Sequence, residues 1–379
     1  MTWNEAKKAE FQMSLKKAQQ SIDNYLMFLE EKKLQLEENP KRKSFRIGKE
    51  LFSKKFEYDI VSSFTAEEIY SDALRMKKEL HSKMYDLSVQ LWEDYGEGEL
   101  SSDTLKMIRA VIDNLSLEHC HRDSFITTIR QQIPQLVNFV KKKDLMYLDP
   151  EKTLVVRETP VYMRGVAGAS ISAPGPYEPK GSTYYNVTPL DHYSEDEAES
   201  YLREYNSNML QILNIHEAIP GHYTQLVYSN KAPSMIKSLF GNGAMIEGWA
   251  VYTERMMLEE GYGNNSPEMW LMYYKWNLRT VCNTILDYSV HGKDLEKTEA
   301  MDLLINQAFQ QQTEAEGKWY RSQVSQVQLC SYYTGYREIY QLRDEYKSMK
   351  NDFSLKRFHE EFLSYGSSPV KYIKTLMGF

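Results

Sequence analysis

The chain has 379 residues, 42% apolar and 26% charged, with only 18 Gly and 12 Pro, which excludes a disordered or collagen-like polymer. Lys and Arg number 46 against 53 Asp and Glu, a net charge of −7, so no global cationic field draws the chain to nucleic acid or to an anionic bilayer. Three scattered cysteines, Cys120, Cys282 and Cys330, make no disulfide framework, and no run approaches the roughly 20 apolar residues of a membrane span.

The N-terminus, MTWNEAKKAEFQMSLKKAQQ, is charged and lacks the apolar stretch of a signal peptide, so the expectation is a cytoplasmic protein without nucleic-acid or membrane partners. Phe11, Leu15, Ile22, Tyr25, Leu26 and Leu29 recur at near-helical spacing over residues 4–36, and Asn39-Pro40 ends that helix. Further helical patterns run from Ala66 to about Trp92, from Ser101 to about Leu115, and from Arg122 to about Lys143. At Leu145 the texture changes to β-branched and aromatic runs, TLVVRETPVYMRG and STYYNVTPL, broken by Pro and Gly. AGASISAPGPYEPKG, between them, has the composition of a loop. From Ser194 onward nearly everything is helical in pattern, with interruptions near Gly241, Gly261–Pro267, Gly292 and Gly366–Pro369. The expected fold is predominantly α-helical (α+β), with one small antiparallel sheet from about residues 145–190. A helical section, 1–144, precedes a catalytic section, 145–379, in one compact body. The 28 tyrosines suit either an aromatic-lined cavity or ordinary helical packing.

The informative stretch is Asn214-Ile215-His216-Glu217-Ala218-Ile219-Pro220-Gly221-His222. Zinc hydrolysis needs a few N and O ligands, an open coordination position for water, and a carboxylate to take that water's proton. The usual helical solution places histidines at i and i+4, whereas here the second follows at i+6, about 120° around a regular helix. Pro220-Gly221 offers a local bulge that returns His222 to the His216 face; the alternative is two unrelated histidines flanking a helix break. Glu247, on the next helical pattern, suits a third ligand, and Glu254, two turns further along the same face, suits a partner that orients a ligand histidine or else a surface carboxylate.

HEAIPGHYTQ, EGWAVYTE, QLCSYYTGYREIYQLRDE and FSLKRFHEEFLSYGSSPV resemble, in the same order, motifs of the bacterial domain-of-unknown-function 885 family, a zincin-like group marked by His-Glu-x-x-Pro-Gly-His. The likeness covers roughly residues 155–379. Typical members are longer, and many are exported lipoproteins. The resemblance implies a helical metallohydrolase related in site design to gluzincin peptidases, with His216, His222 and Glu247 as metal ligands, Glu217 as general base and one Zn2+ per chain. Gln328-x-x-x-Tyr332-x-x-Gly335 matches a further family motif, although the Pro that often precedes its Gln is absent.

Gln328 and Tyr332 share a helix face and suit substrate contact and an oxyanion-directed phenol, with Tyr333 replacing Tyr332 if the helix is turned. Asp287 and His291, at i and i+4, suit a second metal pair, a helix-surface or supporting contact, or a His291 near the substrate, while His119-Cys120-His121 reads as structural because neighbouring helical side chains diverge. The resemblance places STYYNVTPL where gluzincin-like sites bind substrate as an added strand; the alternative is a buried strand. The expected activity is zinc-dependent hydrolysis of peptide or related amide bonds in small substrates. The alternatives are a specialised amide hydrolase acting on a metabolite and a non-catalytic binding protein on the same fold.

Overall fold

A computed structural model describes residues 3–164, 168–175, 178, 180–232 and 234–379. Contacts divide the chain into Met1–Phe45 and Arg46–Phe379; the change of texture at 144/145 falls inside the second unit. The first unit is helix α1 (Glu5–Glu37), capped by Asn4 and exposed along its whole length.

The second unit begins with α2 (Gly48–Asp59), α3 (Ala66–Gln90), α4 (Thr104–Leu115) and α5 (Phe125–Lys142). The Thr65 and Glu68 side chains bond reciprocally to backbone N–H groups and start α3 as a capping box. Asp103 caps α4, whose Met107, Ile108, Val111, Ile112 and Leu115 form one buried stripe at helical spacing.

Strands β1 (Leu154–Glu158), β2 (Ala169–Ser172) and β3 (Thr183–Val187) make the small sheet, in the order β1-β3-β2. β2 pairs antiparallel with β3, but β1 pairs parallel with it, so the sheet is mixed where an antiparallel one was expected. β1 and β2 are the two edges and the chain enters the central β3 last, antiparallel to β2 and therefore in the same direction as β1. Part of AGASISAPGPYEPKG is therefore an edge strand, while Gly165–Ala167, Pro176, Tyr177 and Pro179 lie outside the described residues.

The remainder is helical: α6 (Glu195–Glu204), α7 (Ser207–Glu217), α8 (His222–Ser229), α9 (Gly243–Glu259), α10 (Pro267–Gly292), α11 (Gln312–Val324), α12 (Ser331–Met349), α13 (Leu355–Ser364) and α14 (Val370–Leu376). α10 is buried along most of its length and packs against α2, α3, α7 and α12, which makes it the axis of the core. α9 and α12 touch backbone to backbone at two glycines. A Cβ on Gly335 would lie 1.7 Å from the Ala244 carbonyl oxygen, and one on Gly248 would lie 2.3 Å from the Gly335 carbonyl carbon.

Candidate metal centre

Local sequence sets the first two site residues. Asn206 caps α7 by accepting from the Asn208 and Met209 N–H groups, and α7 ends at Glu217. α8 starts at His222, so the two extra residues are accommodated by a break between helices rather than by a bulge within one. Ala218 and Ile219 N–H both bond back to the Asn214 carbonyl, and Gly221 N–H bonds to that of Ile215. A Cβ at Gly221 would sit 1.8 Å from the His216 carbonyl oxygen, so only glycine fits there. The Trp249 indole on α9 donates to the Pro220 carbonyl at 2.9 Å and ties the break to the helix that carries Glu247.

The fold at this break brings His216 and His222 to a ring separation of 4.8 Å, nearly perpendicular to each other. Nitrogens of both rings and an oxygen of Glu247 lie within 4.8 Å of one another. Glu247 Oε2 is 3.7 Å from His216 Nε2 and 3.4 Å from His222 Nε2. This oxygen is buried and has no hydrogen-bond partner among the described residues, an arrangement that is costly unless a cation sits against it. Glu254, wholly buried, accepts from His216 Nδ1 at 2.6 Å and from the Trp276 indole at 2.9 Å. With Nδ1 held by Glu254, it is Nε2 that faces Glu247 and His222, and loss of its proton would free a lone pair there for a cation. Two histidines and a carboxylate fit a zinc ion with a fourth position left for water.

Carboxylates dominate the charge of the cluster. Burial opposes charge on His216, but the carboxylates of Glu247, Glu254 and Glu217 outweigh it and raise its pKa to about 10. Burial would also raise the Glu247 carboxyl, yet the two histidines facing it hold it well below the usual carboxylate range. Glu217 is raised, first by burial and further by Glu247, with both histidines opposing. Among the described residues its carboxylate makes no hydrogen bond or ion pair, which leaves it uncommitted beside the ligand cluster.

The family model for bacterial proteins of unknown function (DUF885) matches residues 2–377. The chain belongs to this family. It is 57% identical to a protein from Shewanella oneidensis, described as "a putative lipoprotein of unknown function", whose solved structure superposes with a TM-score of 0.87 over 100% of this chain and 68% of that one. A second similar structure, "the putative lipoprotein from Colwellia psychrerythraea", is 18% identical, with a TM-score of 0.74 over 86% of this chain and 54% of that one. No curated protein matches. The description of both structural relatives as lipoproteins overturns the cytoplasmic expectation, which rested on the N-terminal composition. No helix among the described residues is long and apolar enough to cross a membrane.

In this DUF885 chain the other expected site residues divide. The Tyr332 phenol accepts from Arg321 at 3.1 Å, and Gln328 accepts from the same guanidinium at 2.6 Å. Burial, then the charge of Glu247, raises the Tyr332 pKa. Tyr333 instead donates to Asp72 on α3, because the Gly248–Gly335 contact fixes the rotation of α12. His291 contacts the Ser322 carbonyl at 2.8 Å and stacks on Phe52 at the far end of α10. It is buried there and is not among the residues gathered with His216, His222 and Glu247. β3 is the central strand, with both edges occupied, so it cannot take an added substrate strand; Tyr185 on it donates to Asn214 of α7 at 2.9 Å and braces the metal helix. β2 is the edge strand on the α7 side.

Sequence reasoning missed Trp276, Arg279, Lys318 and Arg321. Arg279 stacks on the Trp276 ring at 4.6 Å and pairs with Glu314. The available signal was the i, i+4, i+7 spacing of Glu314, Lys318 and Arg321 on α11, but in so polar a segment it reads as a solvated face.

Proposed function

We propose that this protein is a zinc-dependent hydrolase that cleaves peptide or related amide bonds of small substrates. The observation that carries the reading is the convergence of His216, His222 and Glu247 within 4.8 Å, with an uncommitted Glu217 beside them. Bound zinc supplies a Lewis acid and lowers the pKa of a water molecule. Glu217 then accepts the water's proton on its free carboxylate and returns it to the leaving nitrogen. Glu254 holds His216 by Nδ1, so that its Nε2 stays aimed at the ion rather than rotating away. Tyr332, steadied by Arg321, offers its O–H to the oxyanion that develops on the substrate carbonyl.

Two measurements test this. Elemental analysis of purified protein should find about one zinc per chain, and the zinc-loaded protein should hydrolyse members of a short-peptide library or of a metabolite extract read by mass. Zinc bound at these residues without hydrolysis of any peptide or amide would leave a binding protein and end the enzymatic reading.

A further inference from the structure

Three cations lie close to the candidate metal centre, and the reaction outlined above uses only part of one. Glu314, Lys318 and Arg321 occupy one face of α11, at i, i+4 and i+7. Arg279 reaches the same place from α10 and pairs with Glu314. The link to the ligands is short. Arg279 stacks on Trp276 at 4.6 Å, and the Trp276 indole donates at 2.9 Å to Glu254, which holds His216. On the other side, Arg321 donates to the Tyr332 phenol at 3.1 Å.

The anions present do not match these cations. Glu314 is the one carboxylate within ion-pair distance of Arg279 or Lys318 among the described residues, and it lies 3.9 Å from the Lys318 ammonium, beyond a hydrogen bond. Lys318 is only 5% exposed and makes no hydrogen bond among the described residues. Arg321 has neutral partners only, Gln328 and Tyr332. Arg279 Nη1 is buried without an acceptor. A buried cation is normally paired and hydrogen-bonded, and buried Lys318, with the half-buried Arg279 beside it, shares a single carboxylate while half-buried Arg321 has none, which leaves a place for a further anion.

We infer that Arg279, Lys318 and Arg321 form a subsite for a substrate carboxylate, so that the preferred substrates are small peptides with a free C-terminal carboxylate. The inference rests on the proposed hydrolase reading for its account of where the rest of the substrate lies. Arg321 bridges the two functions, because its guanidinium steadies Tyr332 while facing the carboxylate. Burial and the neighbouring Arg279 push the Lys318 ammonium down to about 7, and an arriving carboxylate would restore its charge.

The test uses equilibrium binding, so it does not depend on turnover. Zinc-loaded Glu217→Gln protein is titrated calorimetrically with an N-acetyl dipeptide and, separately, with its C-terminal amide. The free acid should bind at least 10-fold more tightly than the amide. Lys318→Met should reduce that ratio several-fold, and Lys318→Arg should retain most of it; melting curves of both variants show that each is folded. Equal affinity for acid and amide, no binding of the acid at millimolar concentration, or an unchanged ratio in a folded Lys318→Met protein each overturn the inference. Should Lys318→Met not fold, Lys318→Gln takes its place under the same criterion, and the acid-to-amide ratio in the parent protein decides alone if neither folds. The hydrolase reading is judged separately, by turnover of the wild-type enzyme. Acid-selective binding without any hydrolysis would sink that reading alone, and hydrolysis without acid selectivity would sink this one alone.

Discussion

Glu254, two helical turns beyond Glu247 on α9, accepts from His216 Nδ1 at 2.6 Å and so ties one proposed metal ligand to the helix that carries another. Glu254→Gln keeps the size of the side chain and removes its charge. Zinc affinity, measured by competition with a chromogenic chelator, should fall 10–100-fold, the usual cost of losing such an outer partner. Unchanged affinity would show that Trp276 and the surrounding packing alone hold the ring.

Base and ligand place separable demands on a carboxylate. Glu217→Gln should retain zinc and melt near the wild-type temperature, while turnover drops at least ~100-fold. Glu247→Gln should lose zinc and activity together. Loss of zinc from Glu217→Gln would mean that the two glutamates exchange roles.

Backbone contact between α9 and α12 leaves no room for a side chain at Gly335, whose Cβ would stand 1.7 Å from the Ala244 carbonyl oxygen. Gly335→Ala should therefore destabilise the protein by about 1–3 kcal/mol in denaturant unfolding, as overpacking does. Because α9 carries Glu247 and α12 carries Tyr332, zinc affinity should weaken in the same variant. A variant as stable as wild type would show that the helices separate freely.

His359 is wholly buried between the Leu145 carbonyl and the Tyr252 hydroxyl, and burial, with Arg343 adding to it, pushes its pKa down to about 4. The folded state therefore binds fewer protons than the unfolded state between about pH 4 and the ordinary histidine value near 6.5. Its contribution is fully present above that window and is lost as pH falls through it, on the order of 3 kcal/mol in all. His359→Gln should flatten the pH dependence of unfolding free energy between pH 4 and 6.5 relative to wild type. Parallel profiles for the two proteins would exclude His359 as the source.

Much of the fold was legible because helical periodicity and capping agree locally. Ser194 and Glu197 start α6 as a capping box, and the buried stripes of α4 and α5 follow their sequence spacing. The parallel pairing of β1 was not legible, since strand composition carries no direction. At the candidate site, residue types and spacing, with the family resemblance, singled out His216, His222 and Glu247, which the fold brings together. Pro220-Gly221, however, is compatible with either a bulge or a break, and the hydrogen bonds to Asn214 and Ile215 decide it. The choice between Tyr332 and Tyr333 depends on a helix rotation set by two glycines on different helices. Lys318 carried no distinguishing signal in the sequence because tertiary packing, not local pattern, buries it.

The break between α7 and α8 has a consequence for when the site can exist. Two histidines at i and i+4 on one helix are positioned as soon as that helix forms, so a short peptide can already offer a chelate. Here neither helix presents more than one ligand. Their mutual aim depends on the turn at Gly221, and Trp249 fastens that turn from α9. An isolated segment spanning Ser207–Ser229 would hold both histidines and still lack a cage, so capture of an ion at the proposed site would report tertiary assembly of the chain rather than local helix formation.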